Sequence, residues 1–149
     1  MLDAISLSIL RAVALEEFSY GAGPSPYKIM KEMSLYPSFL YNLIKRLESL
    51  GIIECERHAR GSRCTLTIYG LLLLYKLDGS SKVYAQRLLS RKLGLREETL
   101  RPVLDAIISG GKLPRSLMEF VGWCVLNSHI PEVKALLHEL SPARAYICA

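Results

Sequence analysis

The chain has no N-terminal stretch with the charged, apolar and small-residue order of a secretion signal. Its longest apolar run, around Leu71 to Leu77, is far shorter than the roughly 20 residues a bilayer-crossing helix needs. These two absences lead to the expectation of a cytoplasmic protein with no membrane partner. Cysteine is scarce: Cys55, Cys64, Cys124 and Cys148 are too few for a secreted disulfide scaffold, and none stands in C-x-x-C spacing. Together with the histidines they fall into two groups, Cys55, His58, Cys64 and Cys124, His129, His138, Cys148. Neither spacing matches a zinc ribbon or finger, so neither metal nor cofactor is expected. Also missing are a Ser/His/Asp set, H-E-x-x-H, a P-loop and G-x-G-x-x-G, and no acids pair up for proton transfer. An enzyme is therefore not expected. With 50% of residues apolar and 22% charged, a disordered chain is excluded, and 149 residues suffice to bury a core.

What is present centres on residues 36–53. Leu40, Leu43, Ile44, Leu47 and Leu50 recur at three- and four-residue steps, the spacing of one helix face. Pro37 suits the first turn, and Gly51 stands where a left-handed cap would close the helix. The opposite face carries Ser38, Phe39, Tyr41, Asn42, Lys45 and Arg46, with one acid, Glu48, near its end. Upstream, residues 2–18 form a first helix, apolar on most of its circumference, which demands cover on two sides. Its own domain supplies one side; the C-terminal segment or a second subunit supplies the other. Ser25-Pro26 starts a second helix running to about Met33, and a three-residue turn leads to the third.

Two strands follow between Ile52 and Leu66, joined by His58-Ala59-Arg60-Gly61. Arg57, Arg60 and Arg63 gather toward the turn, as phosphate ligands would, although a solvated hairpin edge also carries charge. If the loop has two residues, Ala59-Arg60, Cys55 faces Cys64 within disulfide reach. If Gly61 joins it, Cys64 faces Glu56 and no bridge forms. A fourth helix, Ile68 to Leu77, is again apolar nearly all round, and Asp78-Gly79-Ser80-Ser81 marks a boundary. The fold class expected is mainly α with a small β-hairpin: a winged helix-turn-helix domain over 1–78 and a helical C-terminal region over 79–149. That region should hold helices over 82–93, about 97–108 (with Pro102 a distortion or a later start), 114–127 and 131–140. Net charge is +5, with ten Lys/Arg against six Asp/Glu after residue 78 and nine against eight before it. Lys82, Arg87, Arg91, Lys92 and Arg96 include no acid. They are either a second phosphate contact or the solvent face of a helix.

The run Leu40-Tyr41-Asn42-Leu43-Ile44-Lys45-Arg46-Leu47-Glu48, then Gly51-Ile52-Ile53-Glu54, resembles the L-Y-x-L-L-K-R-L-E…G-L-I-E signature of PadR-like winged-helix repressors. Tyr27-Lys28-Ile29-Met30-Lys31-Glu32-Met33 is similar to their second helix, and Leu66-Thr67-Ile68-Tyr69-Gly70 to the segment closing their wing. The resemblance covers residues 1 to about 78. It implies a homodimeric repressor on an inverted repeat of double-stranded DNA, with helix 37–50 in the major groove and wing 52–66 on flanking phosphate. On matching positions, Ser38, Tyr41 and Asn42 would lie nearest the bases and Lys45 and Arg46 nearer the backbone, with Arg57, Arg60 and Arg63 on phosphate at the wing. The chain departs from the family in a short wing and in several short C-terminal helices where the family has one long dimerising helix. The rival expectation is a winged helix used for protein–protein contact in a transcription or replication assembly.

Overall fold

A computed structural model describes residues 2–148, with side chains over residues 2–140. The chain is mainly helical with one two-stranded antiparallel hairpin, in the order of a winged helix-turn-helix followed by a helical extension. Helix α1 (Ala4–Tyr20) opens on Asp3, whose carboxylate accepts the Ser6 N–H at 2.7 Å. Helix α2 (Pro26–Met33) starts as its sequence dictates, with Ser25 accepting the Lys28 N–H and Pro26 in the first turn. Ser34, at φ 53°, turns the chain toward helix α3 (Pro37–Ser49).

Helix α3 buries Leu40, Leu43, Ile44 and Leu47, four of the five apolar positions of its stripe; Leu50, just past its end, is 44% exposed. Its end is a closed motif. The Ile52 N–H donates to Leu47 O at 3.0 Å and the Gly51 N–H to Glu48 O at 3.0 Å, with Gly51 at φ 75°. Those two bonds satisfy carbonyls that a helix end otherwise leaves orphaned, and they fix the angle at which the chain enters the hairpin.

Strands β1 (Ile53–His58) and β2 (Gly61–Leu66) pair in the register Cys55↔Cys64 and His58↔Gly61, the two-residue-loop alternative. Neither Ala59 nor Arg60 has a positive φ; the left-handed residue is Gly61, at 112°. The outer edge of β2 is partly covered, because the Cys64 N–H donates to Pro24 O at 2.9 Å. Gly23 lies so close to that edge that a Cβ there would stand 1.7 Å from Cys64 O. The α1–α2 loop thus acts as a minimal third strand and blunts an exposed edge.

Helix α4 (Ile68–Leu77) is capped by Thr67, and a short 3-10 turn over Gly79–Ser81 leads into α5 (Lys82–Leu93). Helix α5 packs on both α4 and α1, so the C-terminal segment supplies the second cover that α1 and α4 require. Ile9, Leu10, Leu71, Leu74, Ala85 and Leu89 are all fully buried in one cluster that continues across residue 78. Each large side chain removed from water in this way contributes roughly 1.5–3 kcal/mol before chain entropy is counted. Asp78 reinforces the junction: its carboxylate accepts from Arg11 Nε of α1 at 2.7 Å and from the Ser80 and Ser81 hydroxyls.

Helix α6 (Glu97–Ser109) starts at Glu97 and contains Pro102. Helix α7 (Leu117–Leu126) starts three residues later than the sequence reading placed it, because Ser116 accepts the Glu119 N–H and sets the first turn. Helix α8 (Pro131–Cys148) runs past the expected end at residue 140. No helix among the described residues is long and apolar enough to cross a membrane.

Candidate nucleic-acid interface

On α3, Ser38, Asn42 and Lys45 step by four and three residues along the side opposite the buried leucines, and all are exposed. Tyr41 lies on the flank of that face, 48% exposed. None of these four side chains makes a hydrogen bond or ion pair with another described residue, and the same holds for Arg57 and Arg60. Polar side chains without an intramolecular partner, held on a helix whose other face is locked in the core, are free to meet a ligand.

Arg46 is placed differently. A helix turns about 100° per residue, so Arg46 leaves Lys45 behind and faces the N-terminus of α1. It lines a cleft of about 460 Å³ with Leu2, Tyr69, Lys76 and Arg115. Asp3 feels it: the carboxyl is held below the usual carboxylate range, first by the Ser6 N–H and further by the Arg46 charge. Arg46, four residues after Asn42 and so beside it on the helix, therefore stands on the flank of that face that turns toward the N-terminus of α1.

The three wing arginines do not form one cluster. In the observed register Arg57 stands across from Ser62, on the same side of the hairpin as Cys55 and Cys64, whereas Arg63 stands across from Glu56 on the other side. Arg63 also reaches back, donating from Nη1 to Gly23 O at 3.4 Å. Arg60 occupies the turn itself. Arg63 faces Glu56 across the hairpin, so the far face of the wing mixes both signs of charge, and His58 lies 3.9 Å from the same Glu56.

Cys55 and Cys64 are joined by a disulfide, with Cα atoms 4.0 Å apart. The pair is a non-hydrogen-bonded one, since the Cys64 N–H points outward to Pro24, and that is the kind of pair with the closer side chains. The bridge removes both thiolates from the first Cys/His group, which therefore cannot ligate a metal through sulfur. In the second group, Cys124 is fully buried and burial pushes its thiol up to about 11, while His129 and His138 are exposed. The side chain of Cys148 lies outside the described residues.

The basic run of the C-terminal half is taken up by the chain itself. Arg87 pairs with Glu97 at 3.3 Å, Lys92 with Glu17 at 3.7 Å, and Arg96 with Glu139. Lys82 sits over the Tyr75 ring and Arg91 near that of Phe18. The run has no acids of its own, but α1, α6 and α8 bring them. The adjoining cleft of about 590 Å³ closes on itself in the same way. Arg101 donates to Gln86 Oε1 at 3.2 Å, and Gln86 to Glu97 Oε1 at 3.2 Å. The Tyr75 hydroxyl donates to Asp105 at 2.6 Å; burial, then that bond, pushes it up to about 12.

Aromatic side chains beyond Tyr41 are what the sequence-chosen site residues leave out. Tyr36 is 83% exposed at the start of α3, and Phe39 on α3 and Tyr27 on α2 are also open to solvent. The signal for Tyr36 was its place directly before Pro37: it caps the helix from outside and cannot join the buried stripe.

No family model and no curated protein matches the chain. Among solved structures, a point mutant of Lactococcus lactis ZitR is similar over 75% of this chain and 77% of that chain, at 15% identity and a TM-score of 0.44. What the chain's own element order and hairpin register establish is the fold: it is a winged helix-turn-helix carrying a five-part helical extension, counting the turn at Gly79–Ser81 and α5 to α8 separately from it.

Proposed function

We propose that the chain is a sequence-specific double-stranded DNA-binding transcriptional regulator of PadR-like type, a homodimeric repressor that acts on an inverted repeat. The observation that carries this reading is the unpartnered polar face of α3, with Ser38, Asn42 and Lys45 in line and Tyr41 beside them, presented by a helix whose opposite face is fully buried. An exposed helix of that kind, preceded by a short helix and a tight turn, is the element that enters a major groove. Asn42 can pair bidentately with an adenine edge, and Tyr41 can pack on a thymine methyl. Arg57 and Arg60, exposed and unpaired, suit phosphate, which positions a protein without specifying sequence. Lys45 suits the adjoining backbone. Arg46 and Arg63 reach phosphate from the rims, if the first leaves the neighbourhood of Asp3 and the second its bond to Gly23.

A second reading has its own support. Tyr36 at the start of α3, Phe39 on it and Tyr27 on α2 are exposed, and Glu54 and Glu56 line the wing beside its arginines. That mixture would serve a winged helix docking on another protein of a transcription or replication assembly. Selection of bound sites from a random duplex pool separates the two. Enrichment of an inverted repeat supports the regulator; recovery of an unenriched pool supports the docking module.

A further inference from the structure

Arg46 of α3, Lys76 of α4 and Arg115, in the loop before α7, converge on the cleft of about 460 Å³ at the end of α3. Among the described residues no acid lines that cleft, and none of the three side chains forms an ion pair. Asp3 feels the Arg46 charge, but its carboxylate is already engaged by the Ser6 N–H. The cations of α5 and the segment after it meet acids from other helices; these three meet none. Like charges gathered without a counter-charge repel one another, and a bound anion removes that repulsion.

The wall beside the cations is aliphatic. Leu2, Leu50, Ile52, Leu73 and Leu77 line it, and Leu50 and Leu77 are still 44% and 45% exposed. The one aromatic ring on the wall is that of Tyr69, and the Arg115 guanidinium already stands 4.5 Å from its centroid. Arg115 also donates from Nη1 to Leu50 O at 3.5 Å, so two contacts hold its charge beside the wall. An apolar wall with a few placed charges is the make-up of a small-molecule site, and pockets of about 300–1,000 Å³ are usual. At about 30 Å³ for each water-sized group, the cleft has room for on the order of 10–15 non-hydrogen atoms.

We infer that this cleft binds a small amphipathic acid, an alkyl chain of about ten carbons lying on the leucines with its carboxylate among Arg46, Lys76 and Arg115. Guanidinium forks suit a carboxylate, and Lys76 adds a mobile point charge. The inference rests on the proposed function for its consequence. There Arg46 reaches DNA phosphate, so a carboxylate that holds Arg46 in the cleft competes with DNA for it. The acid therefore weakens DNA binding, and DNA weakens binding of the acid by the same factor.

Calorimetric titration of decanoate into the full chain without DNA tests the site by itself. One decanoate per chain should bind, with a Kd of roughly 10–100 µM. Decanol, which lacks the charge, and acetate, which lacks the chain, should each bind at least tenfold more weakly. Lys76→Gln and Arg115→Gln, both at exposed positions, should each weaken decanoate about tenfold, and unchanged circular dichroism shows that they fold. Saturating decanoate should then weaken binding of wild type to the DNA site enriched from the random pool about tenfold, within the usual range of such couplings. No binding of decanoate, or equal binding by wild type and both variants, would overturn the inference. Decanol or acetate binding as tightly as decanoate would overturn the amphipathic acid as the occupant. Decanoate bound in the cleft with DNA affinity unchanged would overturn the competition for Arg46. A chain that binds decanoate as described but no DNA would support the site and count against the DNA reading alone.

Discussion

Replacing Asp78 by alanine should cost about 2–3 kcal/mol. The side chain is 10% exposed and bridges α1 to the turn between α4 and α5 through Arg11, Ser80 and Ser81. Arg11 is about half exposed, so its share is that of a partly screened pair, about 1 kcal/mol. Ser81 is the larger loss: it is 1% exposed, and its hydroxyl would remain buried without its acceptor, a penalty of about 1–3 kcal/mol. For a chain of this size each kcal/mol moves the thermal midpoint about 2–4 °C, which gives a drop of roughly 5–10 °C. The pH dependence has a definite sign. The Arg11 guanidinium, then the Ser81 hydroxyl, hold the Asp78 carboxyl well below the usual carboxylate range. The unfolded chain therefore takes up this proton first as pH falls. The stabilisation is complete at neutral pH and is lost below about pH 4, the unfolded value, as pH descends toward the folded one. Thermal unfolding by circular dichroism at pH 7 and in steps down to pH 3 should show the gap between wild type and Asp78→Ala narrowing in acid. Equal midpoints at pH 7, or a gap that widens in acid, would refute the reasoning.

Two further perturbations address the wing. Thiol labelling of denatured, unreduced protein should leave Cys55 and Cys64 unmodified, and Cys55→Ser with Cys64→Ser should cost about 2.5 kcal/mol by loop-closure entropy for a nine-residue separation; identical urea midpoints with and without reductant would exclude that contribution. Gly23→Ala sets a Cβ against the Cys64 carbonyl and should cost about 3 kcal/mol or more in chemical denaturation, whereas Gly61→Ala, where the added methyl meets nothing, should cost only the strain of a positive φ, about 1 kcal/mol.

The helix-turn-helix was legible because its signals are local. Ser25-Pro26, Pro37, Gly51 and Thr67 set the helix ends within one or two residues, and the leucine stripe of α3 is buried apart from Leu50. Hairpin register was legible only as two alternatives, since a two-residue loop usually takes its positive φ at the centre and this one defers it to Gly61. The start of α7 is legible in Ser116-Leu117-Met118-Glu119, whose capping-box spacing is a stronger start signal than Pro114. The fate of the C-terminal cations was not legible. Glu17 is 75 residues from Lys92 and Glu139 is 43 from Arg96, and no periodicity announces such pairs. The division of the wing arginines between two faces follows from alternation once the register is known, and not before.

The central claim is that α3 reads bases while the wing holds phosphate, and the most direct test titrates Asn42→Ala and Arg60→Ala on an enriched site and on random duplex across a salt series. Asn42→Ala should lose about 1–3 kcal/mol on the enriched site with little change on random DNA. Arg60→Ala should weaken both alike and lower the salt slope by about one unit. Equal weakening of both duplexes by Asn42→Ala, or a salt slope governed by Lys82, Arg87 and Arg91 in place of the wing, would contradict the account.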